Sequence, residues 1–239
     1  MKKIFLSTLI MIALGTLAFS QKTVNDPNAV KRNVNAFHGI DVATGIKLIL
    51  TKGSTEDVAV SASKIEYRDK IITEVKNGIL KIYNETKLGA INRRNENKDL
   101  KAYVSYKSLD KLDVTSGAEI EINGMLSSDS FDLQANTGGL VKGEINITTL
   151  RVNQNTGSKI TLSGTVDNLE VEGDTGSKFL GEDLKTNNCS ASASTGARIY
   201  ITVEKELSAK ANTGGNIKYK GEGGIREIKT NTGGSVSKI

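Results

Sequence analysis

From residue 108 onward, apolar and polar residues alternate in short runs, and the runs recur. With the glycine after a threonine or serine as origin, units sit on Gly45, Gly117, Gly138, Gly157, Gly176, Gly196, Gly214 and Gly233. From Gly117 the spacings are 21, 19, 19, 20, 18 and 19 residues. Three places after the glycine stand Leu48, Ile120, Val141, Ile160, Phe179, Ile199, Ile217 and Val236, all apolar. Five places before it stand Ile40, Leu112, Leu133, Val152, Val171, Ala191, Ala209 and Ile228, again all apolar. Apolar columns an even number of residues apart mark strands with one buried face; a helix would need spacings of three and four.

The residue before each glycine is a small hydroxyl (Thr44, Ser116, then six threonines), and the residue after it is nearly always tiny. Each unit therefore reads as strand, corner, strand, with glycine at the bend because it tolerates positive φ. One such unit cannot bury its apolar face alone, whereas stacked units form a continuous core. The pattern predicts an all-β parallel β-helix of about 19 residues per coil. Its rungs should lie about 4.8 Å apart, with the hydroxyls stacked as a ladder down the core edge. An antiparallel sandwich would account for the alternation but not for the fixed chemistry of each column.

Residues 35–239 read as a single domain, irregular over 35–107 and regular over 108–239. Segment 37–53 keeps the coil register and 57–63 alternates like a strand. Segment 65–71 is a short bridge of one helical turn. Residues 72–85 form a hairpin around Asn77-Gly78, the preferred pair of a type I′ turn. A polar loop follows at 86–99. An open solenoid end exposes strand edges, so this less regular β region with its hairpin is expected to cap the N-terminal end.

Lys2, Lys3 and the uncharged run 4–19, with Ala18 near its end, have the form of a secretory signal peptide over 1–20. A linker over 21–34 follows. The expected location is outside the cytoplasm: periplasm, outer-membrane surface or extracellular. No later run is long and apolar enough to span a membrane as a helix. Without Lys2 and Lys3, 30 basic residues face 27 acidic ones, too even a balance to argue for nucleic acid. The locally basic stretch 92–99 is interleaved with acids. Cys189 is the single cysteine and Pro occurs once, so stability must come from packing rather than from an internal disulfide.

The leader, the opening Phe37, Ile40, Val42, Gly45-Ile46, Leu48, Leu50, Gly53, Val58, Val60, Ala62, the hairpin Val75, Asn77-Gly78-Ile79-Leu80, Ile82 and the serial Asn-Thr-Gly coils carry a family likeness. Over roughly 35–239 the chain resembles the bacterial head-GIN-domain proteins, the family of "putative auto-transporter adhesins". The resemblance implies an exported β-helical protein that binds surface partners, and it brings no catalytic residues with it.

The residues themselves offer few reactive groupings. His38 is the only histidine and Cys189 falls in an apolar column; both read as structural. Lys159, Lys178 and Arg198 occupy one outward column, two after the glycine, on three consecutive coils. They form a basic ladder that either keeps the sheet soluble or grips an anionic polysaccharide or a cell-surface protein. The alternative reading is a carbohydrate-active enzyme built on Glu170, Glu172, Asp174 and Lys178, since glycosidases work with clustered carboxylates. A third is a structural or regulatory envelope protein. The column Asn136, Asn155, Asn212, Asn231 is expected to form amide ladders between coils. Tyr200 and Tyr219 stand in different columns and do not suggest a shared sugar platform. No metal or cofactor is expected.

Overall fold

Alternation along the chain becomes parallel pairing between coils. The computed structural model describes residues 26–85 and 97–239. The expected leader, the start of the linker and most of the polar loop lie outside the described residues. In chain order the elements are β1 (Val30–Arg32), β2 (Gly39–Val42), β3 (Lys47–Lys52), β4 (Asp57–Ser61), α1 (Ile65–Arg68), β5 (Ile71–Lys76), β6 (Ile79–Asn84), β7 (Lys101–Tyr106) and β8 (Lys111–Val114). Long bent strands follow: β9 (Glu119–Ala135), β10 (Leu140–Gln154), β11 (Lys159–Gly173), β12 (Lys178–Ala193) and β13 (Arg198–Ala211). The last are β14 (Asn216–Lys220), β15 (Gly224–Thr230) and β16 (Ser235–Lys238).

Strands β9 to β13 pair in sequence, all parallel, and β14, β15 and β16 continue the stack. Registers follow the sequence columns: Val141 faces Ile160, Ile160 faces Phe179, Phe179 faces Ile199 and Ile199 faces Ile217. The inward columns are buried from Leu48 to Ile217 and from Ile40 to Ala209. Each fully buried Leu, Ile or Phe contributes about 1.5–3 kcal/mol, so the core is a sum of like rungs. Cover thins in the last rung, where Ile228 is 39% exposed. Cys189 is buried in a column with Phe131, Leu150, Leu169 and Leu207, and burial pushes its thiol pKa up to about 12.

The corner is a two-residue turn of type I′, closed in the fourth coil by Ser158 N–H donating to the Asn155 carbonyl at 3.2 Å. The glycines lie at φ 68–76° and the hydroxyl residues before them at φ 44–59°. Glycine was expected at positive φ; threonine was not, because a β-branched side chain crowds the backbone there. A Cβ added to Gly157 would meet nothing within 4 Å, so backbone conformation alone selects glycine at that corner. The hydroxyl ladder is displaced from the expected core edge to the exposed rim. The two central residues of a tight turn stand at its tip, and their side chains project away from the core. Backbone links the corners instead: Gly138 N–H donates to the Thr156 carbonyl and Gly157 N–H to the Thr175 carbonyl, both at 3.0 Å.

The asparagine column is corrected as well. Asn155 Oδ1 accepts from the backbone N–H of Thr156 at 2.7 Å, and Asn231 Oδ1 from the Thr232 hydroxyl at 3.2 Å. Both amides thus bond within their own turn rather than to the next coil. An amide contact between coils occurs in another column, where Asn188 Nδ2 donates to Asn168 Oδ1 at 3.0 Å.

The first half is threaded out of order. The rung made by β2 and β3 stacks directly on β8 and β9, with Ile40 facing Leu112 and Leu48 facing Ile120, although 72 residues separate Gly45 from Gly117. Strands β6 and β7 form the next rung out, parallel to β2 and β3. Antiparallel strands then close the N-terminal end: β5 on β6, β4 on β7 and β1 on β4. The hairpin turn lies at Asn77 (φ 53°) and Gly78 (φ 74°), as its sequence predicts.

Candidate functional site

Within each regular coil the in-and-out alternation slips twice besides the Thr-Gly corner. One slip is a bulge five to seven residues after the glycine, and the other is a pair of adjacent exposed residues such as Asp167-Asn168. Each coil therefore has three sides. The first, directly after the Thr-Gly corner, carries the basic column.

Parallel register puts Lys159 opposite Lys178, and Lys178 opposite Arg198, on β11, β12 and β13. The ladder read from the sequence is thus assembled. In the next column Thr161, Leu180, Tyr200 and Lys218 face one another in turn. Lys178 and Lys218 come from the coils on either side of Tyr200, with their ammonium groups 5.6 and 5.9 Å from its ring centre. Sequence reading missed Lys218 because it stands four residues after its glycine rather than two. Tyr219 is buried, so Tyr200 has no aromatic partner there.

The charge on this side is unevenly compensated. Toward the N-terminal end, Lys47 and Lys142 flank Glu119 and Glu121, with Lys47 2.9 Å and Lys142 3.3 Å from Glu121. Those bonds hold the Glu121 carboxyl below its usual pKa. Toward the C-terminal end, Lys159, Lys178, Arg198 and Lys218 have no carboxylate within ion-pair distance among the described residues. The bulges at the far edge of this side open a groove of about 510 Å³ running across β9 to β12. Lys142, Thr161, Ser163 and Leu180 line it, together with the carboxylates of Glu121, Glu144, Glu182 and Asp183.

The acids of the alternative reading lie on the third side. Glu170 is 3.4 Å from Arg151 Nε. The Thr195 hydroxyl, and then the Thr175 N–H, hold the Asp174 carboxyl below its ordinary pKa. A general acid needs the opposite shift. Lys178 lies past the Thr175-Gly176 corner on another side, so the quartet Glu170, Glu172, Asp174 and Lys178 is divided. Among the described residues the carboxyl with a raised pKa is Asp113, through burial and then the neighbouring Asp41 carboxylate. Both stand four places before their corner glycines, a column match that could have paired them from sequence. His38 Nδ1 lies 2.8 Å from Asp110 Oδ1, with both side chains more than half exposed. Among the described residues no three His, Cys, Asp or Glu side chains converge as a metal site, and no helix is long and apolar enough to cross a membrane.

A solved structure of a "putative adhesin" from Bacteroides fragilis superposes with a TM-score of 0.79 at 18% identity, covering 90% of this chain and 98% of that one. A "putative lipid binding protein" from Parabacteroides distasonis gives 0.66 at 20% identity, covering 90% and 97%. A "putative adhesin" from Parabacteroides merdae gives 0.66 at 15% identity, covering 88% and 95%. At these identities the likeness is one of fold. No curated protein matches the sequence. Residues 36–223 match the family described as "putative auto-transporter adhesin, head GIN domain". With most of its length accounted for by that match, and with the coil architecture that its structural neighbours share, the chain belongs to the head GIN domain family of putative adhesins.

Proposed function

We propose that this chain is an exported, non-enzymatic binding protein that holds an anionic cell-surface polymer on the first side of its solenoid, through Lys159, Lys178 and Arg198. The observation that carries the reading is the column of three cations on adjacent rungs without carboxylate partners. Support also comes from the signal-peptide pattern of residues 1–20 and from the adhesin family. A solenoid held by backbone bonds presents such a column with little reorganisation on binding, which favours affinity.

The test is binding of the purified chain to immobilised acidic polysaccharides, beside the triple variant Lys159→Glu, Lys178→Glu, Arg198→Glu. The three positions are outward, so the variant should keep the parent's circular dichroism spectrum. Binding should weaken by at least about a hundredfold in the variant and fall with added salt in the parent. Equal binding by parent and variant, or no binding by the parent to any acidic polymer, refutes the reading.

A further inference from the structure

The uncompensated cations continue beyond the ladder. Lys159 stands on β11, Lys178 on β12, Arg198 on β13 and Lys218 on β14, so this side carries a cation without a carboxylate partner, among the described residues, on each of four consecutive rungs. The basic column itself stops at Asn216, and Lys218 takes over from the neighbouring column of the same rung. Tyr200 is where the two columns meet. The ammonium groups of Lys178 and Lys218, from the coils on either side, lie 5.6 and 5.9 Å from its ring centre, near enough for the ring to attract each of them.

We propose that the bound polymer is a linear acidic polysaccharide with one carboxylate on every sugar, a polyuronate. It lies along the solenoid axis, with successive carboxylates on Lys159, Lys178, Arg198 and Lys218. Tyr200 is the positioning residue that keeps the last cations in line. This rests on the reading above and adds direction, charge spacing and two residues to it. Lys159, Lys178 and Arg198 repeat at the rung spacing of about 4.8 Å, close to the advance of one sugar in an extended chain, and Lys218 stands on the next rung one outward position further along the strand. A polymer charged on alternate sugars would leave every second cation unmatched. The track is two outward columns wide. The uncharged Thr-Gly rim bounds it on one side, and along β11 and β12 the groove lined by Glu144, Glu182 and Asp183 bounds it on the other. Duplex nucleic acid or an anionic membrane would bring a broad field of negative charge against that acidic edge, whereas a single polymer strand passes beside it.

The experiment is calorimetric titration of the full chain with oligogalacturonate and with hyaluronan fragments of equal sugar number, which carry one carboxylate per sugar and one per two sugars. Duplex DNA and phosphatidylglycerol vesicles are the further arms. Two additional contacts, each worth a few-fold, should make oligogalacturonate about tenfold tighter. Lys218→Gln should reduce both its affinity and the salt dependence. Tyr200→Leu should weaken binding about fivefold, and Tyr200→Phe, which keeps the ring, should bind like the parent, all at matched unfolding temperature. Equal affinity for the two polysaccharides, with both lost in the triple charge-reversal variant, overturns the polyuronate inference and leaves the broader reading standing. Tighter binding of DNA or vesicles also overturns it, as does Tyr200→Leu behaving like the parent. Absence of binding in every arm overturns both.

Discussion

Threonine at left-handed φ is the least expected feature of the corners, and it gives a stability prediction with a definite sign. In a type I′ turn both central residues take positive φ, and Asn-Gly is the favoured pair. Among the described residues the pair takes this turn at Asn77-Gly78, whereas threonine stands at the first position of seven other turns. The left-handed conformation costs an ordinary L-residue about 1–2 kcal/mol, and asparagine escapes most of that cost. Thr137 and Thr213 are the cleanest sites, because neither hydroxyl makes a hydrogen bond among the described residues and the two lie four coils apart. Thr137→Asn and Thr213→Asn should each stabilise the protein by about 1 kcal/mol, and at this separation the effects should add to about 2 kcal/mol. For a domain of this size that corresponds to a rise of about 4–8 °C in Tm. Equilibrium unfolding in urea, followed by circular dichroism, reads the change as a shift in midpoint at constant slope. An unchanged or lowered midpoint in the single variants would refute the argument and mean that left-handed threonine is not strained in this stack.

Other substitutions separate conformational from steric causes and probe buried groups. Gly157→Ala meets no atom but must hold φ 68°, while Gly164→Ala must hold φ 107° with its Cβ 2.0 Å from the Ile145 carbonyl oxygen. Urea unfolding should give losses of about 1 and about 3 kcal/mol respectively, and equal losses would contradict the distinction. Asp113 has its folded pKa raised above 3.8 by burial and by Asp41, against the opposing pull of Lys111 and Lys81. The folded state therefore holds this proton more tightly than the unfolded state, and ionised Asp113 lowers stability at neutral pH. Asp113→Asn should raise the urea midpoint at about pH 7, with the advantage fading as pH falls through the raised pKa to below 3.8. Cys189, buried with a thiol pKa near 12, should resist aromatic disulfide reagents until urea unfolds the chain; rapid labelling of the native protein would contradict its placement.

What the sequence reveals depends on whether a residue meets its own counterpart in the next rung. Ile160, Phe179 and Ile199 touch through parallel register, so each constrains the next and the column is visible as a repeat. Lys159, Lys178 and Arg198 are visible for the same geometric reason. The threading of the first half is not visible. Alternation tells which face of β2 or β6 is buried, but both edges of a strand offer the same hydrogen-bonding groups. Nothing in 39–84 says that β2 lies inside β6 and against β8. The expected asparagine ladder does not form at Asn155 or Asn231 because the turn itself offers each amide oxygen a donor, the Thr156 N–H at 2.7 Å and the Thr232 hydroxyl at 3.2 Å. Glu170, Glu172 and Asp174 share a side as their spacing suggests, but the partners they meet come from elsewhere in the stack: Arg151 of the preceding coil lies beside Glu170, and Thr195 of the following one holds the Asp174 carboxyl below its ordinary pKa.

The basic ladder also bears on the choice between solubility and binding. In a parallel stack, like charges in register repel, and a sheet face is soluble with alternating signs at lower electrostatic cost. The N-terminal half of the first side has that arrangement, with Lys47, Glu119, Glu121 and Lys142 in mutual contact. Across β11 to β14 the chain instead sets four cations at successive rungs. In water, each neighbouring pair of the column Lys159, Lys178 and Arg198, held at about 5 Å, costs up to about 0.8 kcal/mol before salt screening. Solubility gives no reason to prefer that arrangement on one half of a side that is neutralised on the other half. A ligand carrying negative charge at the same spacing turns the repulsion into attraction. The rungs need not move to receive it, because their spacing is already fixed by the backbone bonds that run from corner to corner.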